Sequence, residues 1–131
     1  MLSKKGKSLI EHLLIEDQKN LRLFREGKKN KKELEKINFY ISKQFKKYIQ
    51  QNGFPYKNRV GYNTYKAGIV LTLHLPPDDF KKIFSTLSRA TDKEIAPPHK
   101  AYLIDRFRMY EKKPQLYGTQ FQTNKKGELK K

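Results

Sequence analysis

The chain has 131 residues, 36% hydrophobic and 33% charged, and its 30 Lys and Arg outnumber 13 Asp and Glu to give a net charge of +17. The absence of cysteine excludes disulfides, thiolate zinc sites and a cysteine nucleophile. Because no run approaches the roughly 20 apolar residues of a membrane-spanning helix, we expect no transmembrane segment.

The N-terminal part of the chain is predicted to be a basic tail followed by a helix. Residues 1–7 form the tail. Glu11 and His12 interrupt the apolar run behind it, which argues against a signal peptide and makes the cytoplasm the expected location. Ser8 is predicted to cap the first helix, with Glu11 three residues later completing a capping box.

Two apolar stripes with helical spacing predict the first two helices. The first stripe consists of Ile10, Leu13, Leu14, Leu21 and Phe24. The second consists of Leu34, Ile37, Ile41, Phe45, Tyr48 and Ile49. The outer face of the second helix carries Lys36, Lys43, Lys46 and Lys47. Asp17 lies on the first stripe, where we interpret it as a polar residue at the edge, and Asn52-Gly53 followed by Pro55 predicts the end of the second helix.

Three more helices are predicted after a loop at residues 56–62. Residues 64–75 are largely apolar and predict a buried helix, although their β-prone composition leaves a strand as the alternative. Pro76 and Pro77 are predicted to end this segment. Pro77, followed by Asp78 and Asp79, is predicted to begin the fourth helix. The fifth helix is predicted to begin near Pro98.

The end of the chain is predicted to leave the helical pattern. Residues 116–123 have the composition of a strand and residues 124–127 that of a turn, followed by a short return strand or a frayed basic end. The predicted fold is therefore mainly α, with about five helices packed in one small domain over residues 8–123 and a short C-terminal β-hairpin. Residues 124–131 are assigned to a basic turn and C-terminal end.

His74 is the histidine best placed for chemistry, because it stands near the end of the most apolar segment. An imidazole titrates near neutrality and can serve as a general base or acid. The alternative is a core histidine whose ring nitrogens are hydrogen-bonded. Since no two histidines have the helical spacing of metal ligands, we expect no metal and no cofactor.

A dense set of polar residues occupies the last third of the chain. Arg106 lies in an apolar-flanked helix, so it needs either a bound anion or an ion pair, with Asp17 or Asp105 as the partner. In a strand, alternate residues share one face, and the face here carries Gln115, Tyr117 and Thr119. The candidate catalytic residues are His74, Arg106 and Tyr117. The candidate substrate-binding residues are Asp105, Arg108, Gln115, Thr119 and Gln120.

The same C-terminal pattern resembles a bacterial domain family of unknown function. In that family an Asp-Arg pair precedes a Gln-(Leu/Ile)-Tyr-Gly-(Thr/Ser)-Gln box, as Asp105-Arg106 precedes residues 115–120 here. Other similar positions are Asp17-Gln18, Asn52-Gly53-Phe54-Pro55, Val60-Gly61 and His74. The resemblance covers roughly residues 17–120 and implies no known reaction. It implies that a cluster is formed by His74, Asp105, Arg106, Gln115, Tyr117 and Thr119.

Three functions are compatible with the sequence. The first is binding of a polyanion, above all the backbone of RNA or DNA, by the excess of lysines. Tyrosines that could then stack on bases are Tyr56, Tyr62 and Tyr65. The second is a small metal-independent enzyme on a phosphate-bearing substrate, such as an RNase or toxin-like domain, with His74 as base or acid and Arg106 neutralising charge. The third is a protein-interaction module without chemistry.

Overall fold

The structure, a computed structural model, describes residues 4–120, 122–123 and 129–130. In that part of the chain the protein is mainly helical, which confirms the mainly α part of the predicted fold. The helices are α1 (Lys4–Arg25), α2 (Lys31–Asn52), α3 (Lys57–Val60), α4 (Tyr62–Leu73), α5 (Pro77–Leu87) and α6 (Pro97–Tyr110). Two compact units meet in the sequence between Leu75 and Pro76. The single domain predicted over residues 8–123 includes parts of both units and stays a prediction.

In the first unit, α1 packs against both α2 and α4. The apolar stripe of α1 buries Ile10 and Leu13, and that of α2 buries Ile41 and Phe45. These are the residues that recur every three or four positions in the sequence, so the helical stripes predicted for α1 and α2 form the core of this unit. Phe24, which we expected on the same stripe of α1, is exposed.

The two ends of α2 are fixed by local hydrogen bonds. Asn30 caps its start, because its side chain accepts from the Glu33 backbone N–H at 2.8 Å while the Glu33 carboxylate accepts from the Asn30 N–H at 3.3 Å. Gly53 ends the helix at a φ of 80°, and its N–H donates to the Ile49 carbonyl at 2.7 Å. The predicted end at Asn52-Gly53 is confirmed.

The apolar segment after residue 61 forms α4, so the helix was the correct choice and the strand alternative is wrong. Most of its side chains are buried, which is why its apolar residues do not show a one-sided stripe. Gly68 lies against Pro55, whose Cγ would stand 2.7 Å from a Cβ at that position. None of the helices in the described residues has the length and apolar content needed to cross a bilayer.

Two boundaries in the first unit differ from the sequence predictions. α1 begins at Lys4, so the basic segment predicted as a tail is helical from that residue, and Ser8 lies inside the helix rather than at its cap. Lysine is a good helix former, which allows the helix to extend back through the basic residues. The predicted loop at residues 56–62 contains the short helix α3, which raises the number of helices above the expected five.

The second unit is built on α5 and α6, which pack against each other. Each begins with proline in its first turn, and Asp78 and Asp79 follow in the first turn of α5, where carboxylates are favourable. Aromatic rings join the two helices: the Phe84 and Phe107 rings are stacked with centroids 4.6 Å apart. Phe80 packs edge-on to Tyr110 at 5.5 Å. The fourth and fifth predicted helices are therefore confirmed.

Residues 116–120 do not form the first part of the strand that we predicted over residues 116–123. Residues 114–120 form an irregular loop, and two-residue strands follow as β1 (Gln122–Thr123) and β2 (Leu129–Lys130). They pair antiparallel, with Gln122 opposite Lys130 and Thr123 opposite Leu129. The longer C-terminal hairpin stays a prediction, and the turn assigned to residues 124–127 lies outside the described residues.

Candidate functional site

His74 lies at the end of α4, where its ring Nδ1 is 2.7 Å from the Oδ2 of Asp17 on α1. The Asp17 side chain is buried, whereas 38% of the His74 side chain is exposed. The same carboxylate oxygen accepts from the Gln18 side-chain amide at 2.9 Å. A buried carboxylate thus holds one ring nitrogen of a partly exposed histidine.

This arrangement fixes the ring of His74 for chemistry at its other nitrogen. In a neutral imidazole one nitrogen donates and the other accepts, and a carboxylate at Nδ1 requires the donor there. The Nε2 lone pair is then free to accept a proton. The same geometry occurs where a carboxylate orients a catalytic histidine, although it also occurs in purely structural pairs.

Asp17 was underestimated by sequence reasoning, which treated it as a polar residue at the edge of the α1 stripe. In the structure Asp17 is buried and has a specific partner, the His74 ring. The signal was present in the sequence: a carboxylate on an apolar helical face must be paired or hydrogen-bonded to be tolerated. What the sequence does not show is that α1 and α4 are neighbours.

In the second unit, Asp105 organises the loop that follows α6. Its buried carboxylate accepts four hydrogen bonds from that loop. Oδ1 accepts from the backbone N–H groups of Leu116 at 2.9 Å and Tyr117 at 3.1 Å. Oδ2 accepts from the Thr119 N–H at 2.9 Å and the Thr119 hydroxyl at 2.8 Å. One side chain therefore holds Leu116, Tyr117 and Thr119 of the loop.

The electrostatic state of Asp105 follows from two opposing effects. Burial would raise the pKa of this carboxyl, because it disfavours the charged form, while the hydrogen bonds from Thr119, Tyr117 and Leu116 lower it. The hydrogen bonds prevail, so the pKa of Asp105 lies below its ordinary value of 3.8. The loop is thus built around a carboxylate that stays ionised at neutral pH.

Two further features close the same loop. Gly118 has a φ of 69°, a left-handed conformation that favours glycine, which explains its place between Tyr117 and Thr119. Gln115 and Gln120 form reciprocal bonds: the Gln115 amide donates to the Gln120 carbonyl at 2.8 Å, and its Oε1 accepts from the Gln120 N–H at 2.8 Å. The polar box is therefore internally hydrogen-bonded rather than presented on one strand face.

Arg106 is half-buried beside this loop and its guanidinium is engaged there. Its Nε donates to the Oε1 of the buried Gln120 side chain at 2.6 Å. Its Nη1 lies 3.4 Å from the Tyr110 hydroxyl, and the guanidinium carbon is 5.9 Å from the centre of the Tyr110 ring. These contacts give Arg106 a structural role in joining α6 to the loop, beside the catalytic role predicted for it.

Arg108 and Tyr117 differ in their surroundings. Arg108 donates from Nε to the Pro114 carbonyl at 2.6 Å and so ties the last turn of α6 to the start of the loop. The Tyr117 ring is exposed, although its backbone is fixed by Asp105. Hydrogen bonds of the predicted substrate-binding residues connect α6 to the loop or one part of the loop to another. These residues are Asp105, Arg108, Gln115, Thr119 and Gln120.

The predicted residues thus fall into two groups, one in each unit. His74 is paired with Asp17 in the first unit. The second unit brings together Asp105, Arg106, Arg108, Gln115, Tyr117, Thr119 and Gln120. The convergence of His74 with Arg106 and Tyr117 stays a prediction.

A third feature is a lysine-rich face on α2. Lys36, Lys43 and Lys47 are spaced so that they lie on one side of the helix, with Tyr40 between the first two. All three lysines are exposed, as the sequence predicted. Within the described part of the chain, none of the three forms an ion pair. This face therefore presents three exposed ammonium groups to solvent.

Among the described residues, no group of three or more His, Cys, Asp or Glu is arranged to hold a metal ion. Comparison of the chain with models of protein families, with curated proteins and with solved structures found no match. The resemblance of the C-terminal box to a bacterial family therefore stays a prediction.

Proposed function

We propose that this protein binds a polyanion, above all the phosphate backbone of nucleic acid, through the lysine face of α2. The observation that carries the proposal is the exposed line of Lys36, Lys43 and Lys47, with the Tyr40 ring on the same face. Lysine ammonium groups contact phosphates as hydrated point charges. An aromatic ring among them adds a surface on which a base can stack.

The spacing of this face suits a nucleic-acid strand. Lys36 and Lys47 are 11 residues apart, which is about 16 Å along a helix that rises about 1.5 Å per residue. Phosphates of one strand follow each other at about 3.4 Å along a duplex axis, so the face covers about five of them. Three lysines over that length can neutralise several phosphates at once.

The charge of the chain is concentrated in the same unit. Residues 1–75 contain 17 Lys and Arg against 6 Asp and Glu, a net charge of +11 out of the total of +17. Such a field attracts a polyanion before any specific contact forms. The first unit is therefore the better candidate for the binding surface.

One of the tyrosines that we predicted to stack on bases has to be withdrawn. Tyr65 is 0% exposed inside α4 and cannot receive a base. Tyr62 is 54% exposed, and Tyr40, which lies on the lysine face of α2, is 58% exposed. The proposed stacking group on the lysine face is therefore Tyr40.

Binding to nucleic acid is expected to weaken steeply as salt rises. With three lysines contacting a single strand, log K should fall with log salt with a slope of about −2 or steeper, because each contact releases about 0.7 of a counterion. Fluorescence anisotropy of a labelled RNA strand measures this slope over a salt range of about 50 to 400 mM, which includes the physiological concentration. The same titration with heparin shows whether the protein binds nucleic acid more tightly than another polyanion. A flat salt response, or no binding at low salt, contradicts the proposal.

A second candidate function is metal-independent cleavage of RNA, and the Asp17–His74 pair favours it. In this reaction Nε2 of His74 accepts the proton of a ribose 2′-hydroxyl, and the 2′-oxygen attacks the adjacent phosphorus. The bond from phosphorus to the 5′-oxygen breaks, the leaving oxygen takes a proton from water, and a 2′,3′-cyclic phosphate remains. The predicted contributions of Arg106 and Tyr117 to such a reaction stay predictions.

This second candidate predicts cleavage of RNA, but not of DNA, in the presence of EDTA. His74→Ala should lower the rate by about 10²–10⁴-fold, the usual contribution of a positioned base. Asp17→Asn should lower it as well, because the amide donates to Nδ1 and moves the ring proton of His74 to Nε2. Nitrogen NMR of the histidine rings reports this tautomer change independently of activity. His99→Ala serves as the matched control, and RNA left intact by the wild-type protein rules out this function.

A further inference from the structure

A cavity of about 380 Å³ lies between α1 and α2, beside the lysine face. Its volume is within the range of pockets that hold small ligands, which begins at about 300 Å³. The polar residues that line it are His12, Glu16, Lys19, Asn20, Lys29, Lys36 and Tyr40. Lys36 and Tyr40 also belong to the lysine face, so the cavity opens onto the surface proposed to bind nucleic acid.

The cationic side of the cavity is partly fixed in place. Asn20 is buried, and its amide donates to the Glu16 carbonyl at 2.7 Å. The ammonium group of Lys29 donates to the Asn20 side-chain oxygen, which holds that ammonium at the cavity. Lys19 and Lys36 also line the cavity, so three ammonium groups surround one small space. Lysine ammonium groups contact phosphates as point charges.

The cavity also contains groups that suit a base rather than a phosphate. Tyr40 lines the cavity and is 58% exposed, so its ring can receive a stacked base. The Glu16 carboxylate lines the same space and has no hydrogen-bond or ion-pair partner within the described residues. A carboxylate repels phosphate, but it accepts a hydrogen bond from the exocyclic amino group of a base such as cytosine.

We propose that this cavity binds one unpaired nucleotide of a single strand. The base stacks on Tyr40 with its amino group donating to Glu16, and the phosphates on either side contact Lys19 and Lys36. This inference rests on the proposed function, since it gives the lysine face a preference for single strands. Backbone electrostatics alone favours a duplex, which has the higher charge density, so a preference for single strands points to a base site.

The test compares four labelled nucleic acids of equal length by anisotropy at one salt concentration: oligocytidine, oligouridine, a duplex of the same length, and oligodeoxycytidine. We expect tighter binding of oligocytidine than of oligouridine or the duplex. Tyr40→Ala should weaken binding of oligocytidine by about fivefold to 150-fold, the range of one stacking contact, and leave the duplex unchanged. Tyr40→Phe should retain most of the affinity. The DNA arm shows whether the 2′-hydroxyl adds to recognition.

Phe39→Ala is the matched control, because Phe39 is the neighbouring exposed aromatic residue of α2 and does not line the cavity. Glu16→Gln should remove the preference for cytidine over uridine. The cavity proposal is wrong if Tyr40→Ala and Phe39→Ala weaken binding equally. It is also wrong if single strand and duplex bind equally well while binding still depends on salt. Either result leaves the proposed function unaffected. Absence of salt-dependent binding to every nucleic acid overturns both.

Discussion

Asp105→Asn is expected to lower the free energy of unfolding by about 3 kcal/mol, because hydrogen bonds to a charged group contribute about 1.5–3 kcal/mol each and buried donors lose their acceptor. Asparagine keeps one oxygen, which can still accept from Leu116 and Tyr117. Its amide group would face the Thr119 N–H, donor against donor, where Oδ2 now accepts. Urea denaturation of the full chain at pH 7 measures the loss.

The effect of Asp105→Asn should depend on pH in a defined direction. The pKa of Asp105 is lower in the folded protein than its ordinary value of 3.8, so the unfolded chain binds more protons between the two values. The contribution of Asp105 is therefore fully present above about pH 4 and is lost as the pH falls through its folded-state pKa. The difference in unfolding free energy between wild type and variant should narrow on acidification.

A matched control for this variant is Asp78→Asn. Asp78 is an exposed carboxylate in the first turn of α5, in the same unit, where the interaction with the helix dipole is worth about 1 kcal/mol at most. A loss for Asp105→Asn no larger than the loss for Asp78→Asn, or a difference that grows on acidification, would show that Asp105 does not hold the loop in the way its hydrogen bonds indicate.

Replacing Lys36, Lys43 and Lys47 together by glutamine is expected to weaken nucleic-acid binding by about a hundredfold at 0.1 M salt. The estimate follows from three phosphate contacts, each contributing about 0.7 to the slope of log K against log salt for a single strand. The slope itself should fall in magnitude by about 2. Both quantities come from the same anisotropy titrations. Because these side chains are exposed, the variant should fold like the wild type, which circular dichroism checks.

The control removes the same charge from elsewhere. Lys82, Lys93 and Lys113 are exposed lysines of the second unit, and their replacement by glutamine changes the net charge by the same three units. If binding depends on the α2 face, this control should retain nearly all of its affinity and slope. An equal loss in both triple variants would mean that total charge attracts the polyanion and that α2 is not the contact surface.

The helices were predictable because their signals are local. The stripe of Ile41 and Phe45 in α2, the end of that helix at Gly53 and the proline-aspartate start of α5 each involve residues within a few positions of one another. The extent of α1 toward the N-terminus was not predictable from Ser8, since a lysine-rich sequence lets a helix continue past a favourable cap.

The candidate site was less predictable, because its contacts join distant positions. Asp17 and His74 are 57 residues apart, and only the packing of α1 against α4 makes them partners. The Gln-Leu-Tyr-Gly-Thr-Gln segment was predicted as a strand from its composition. Its backbone instead donates to Asp105, and a side chain that supplies acceptors to a loop competes with the pairing that a strand would need.

The loop around Asp105 has the form of a small anion receptor, because amide and hydroxyl donors from residues 116–119 converge on one point. In this protein the Asp105 carboxylate already accepts these hydrogen bonds. A phosphate could reach the same donors only by displacing the Asp105 side chain. The strongest group of hydrogen-bond donors in this loop is therefore used by the protein itself, and we expect an external anion to be bound elsewhere.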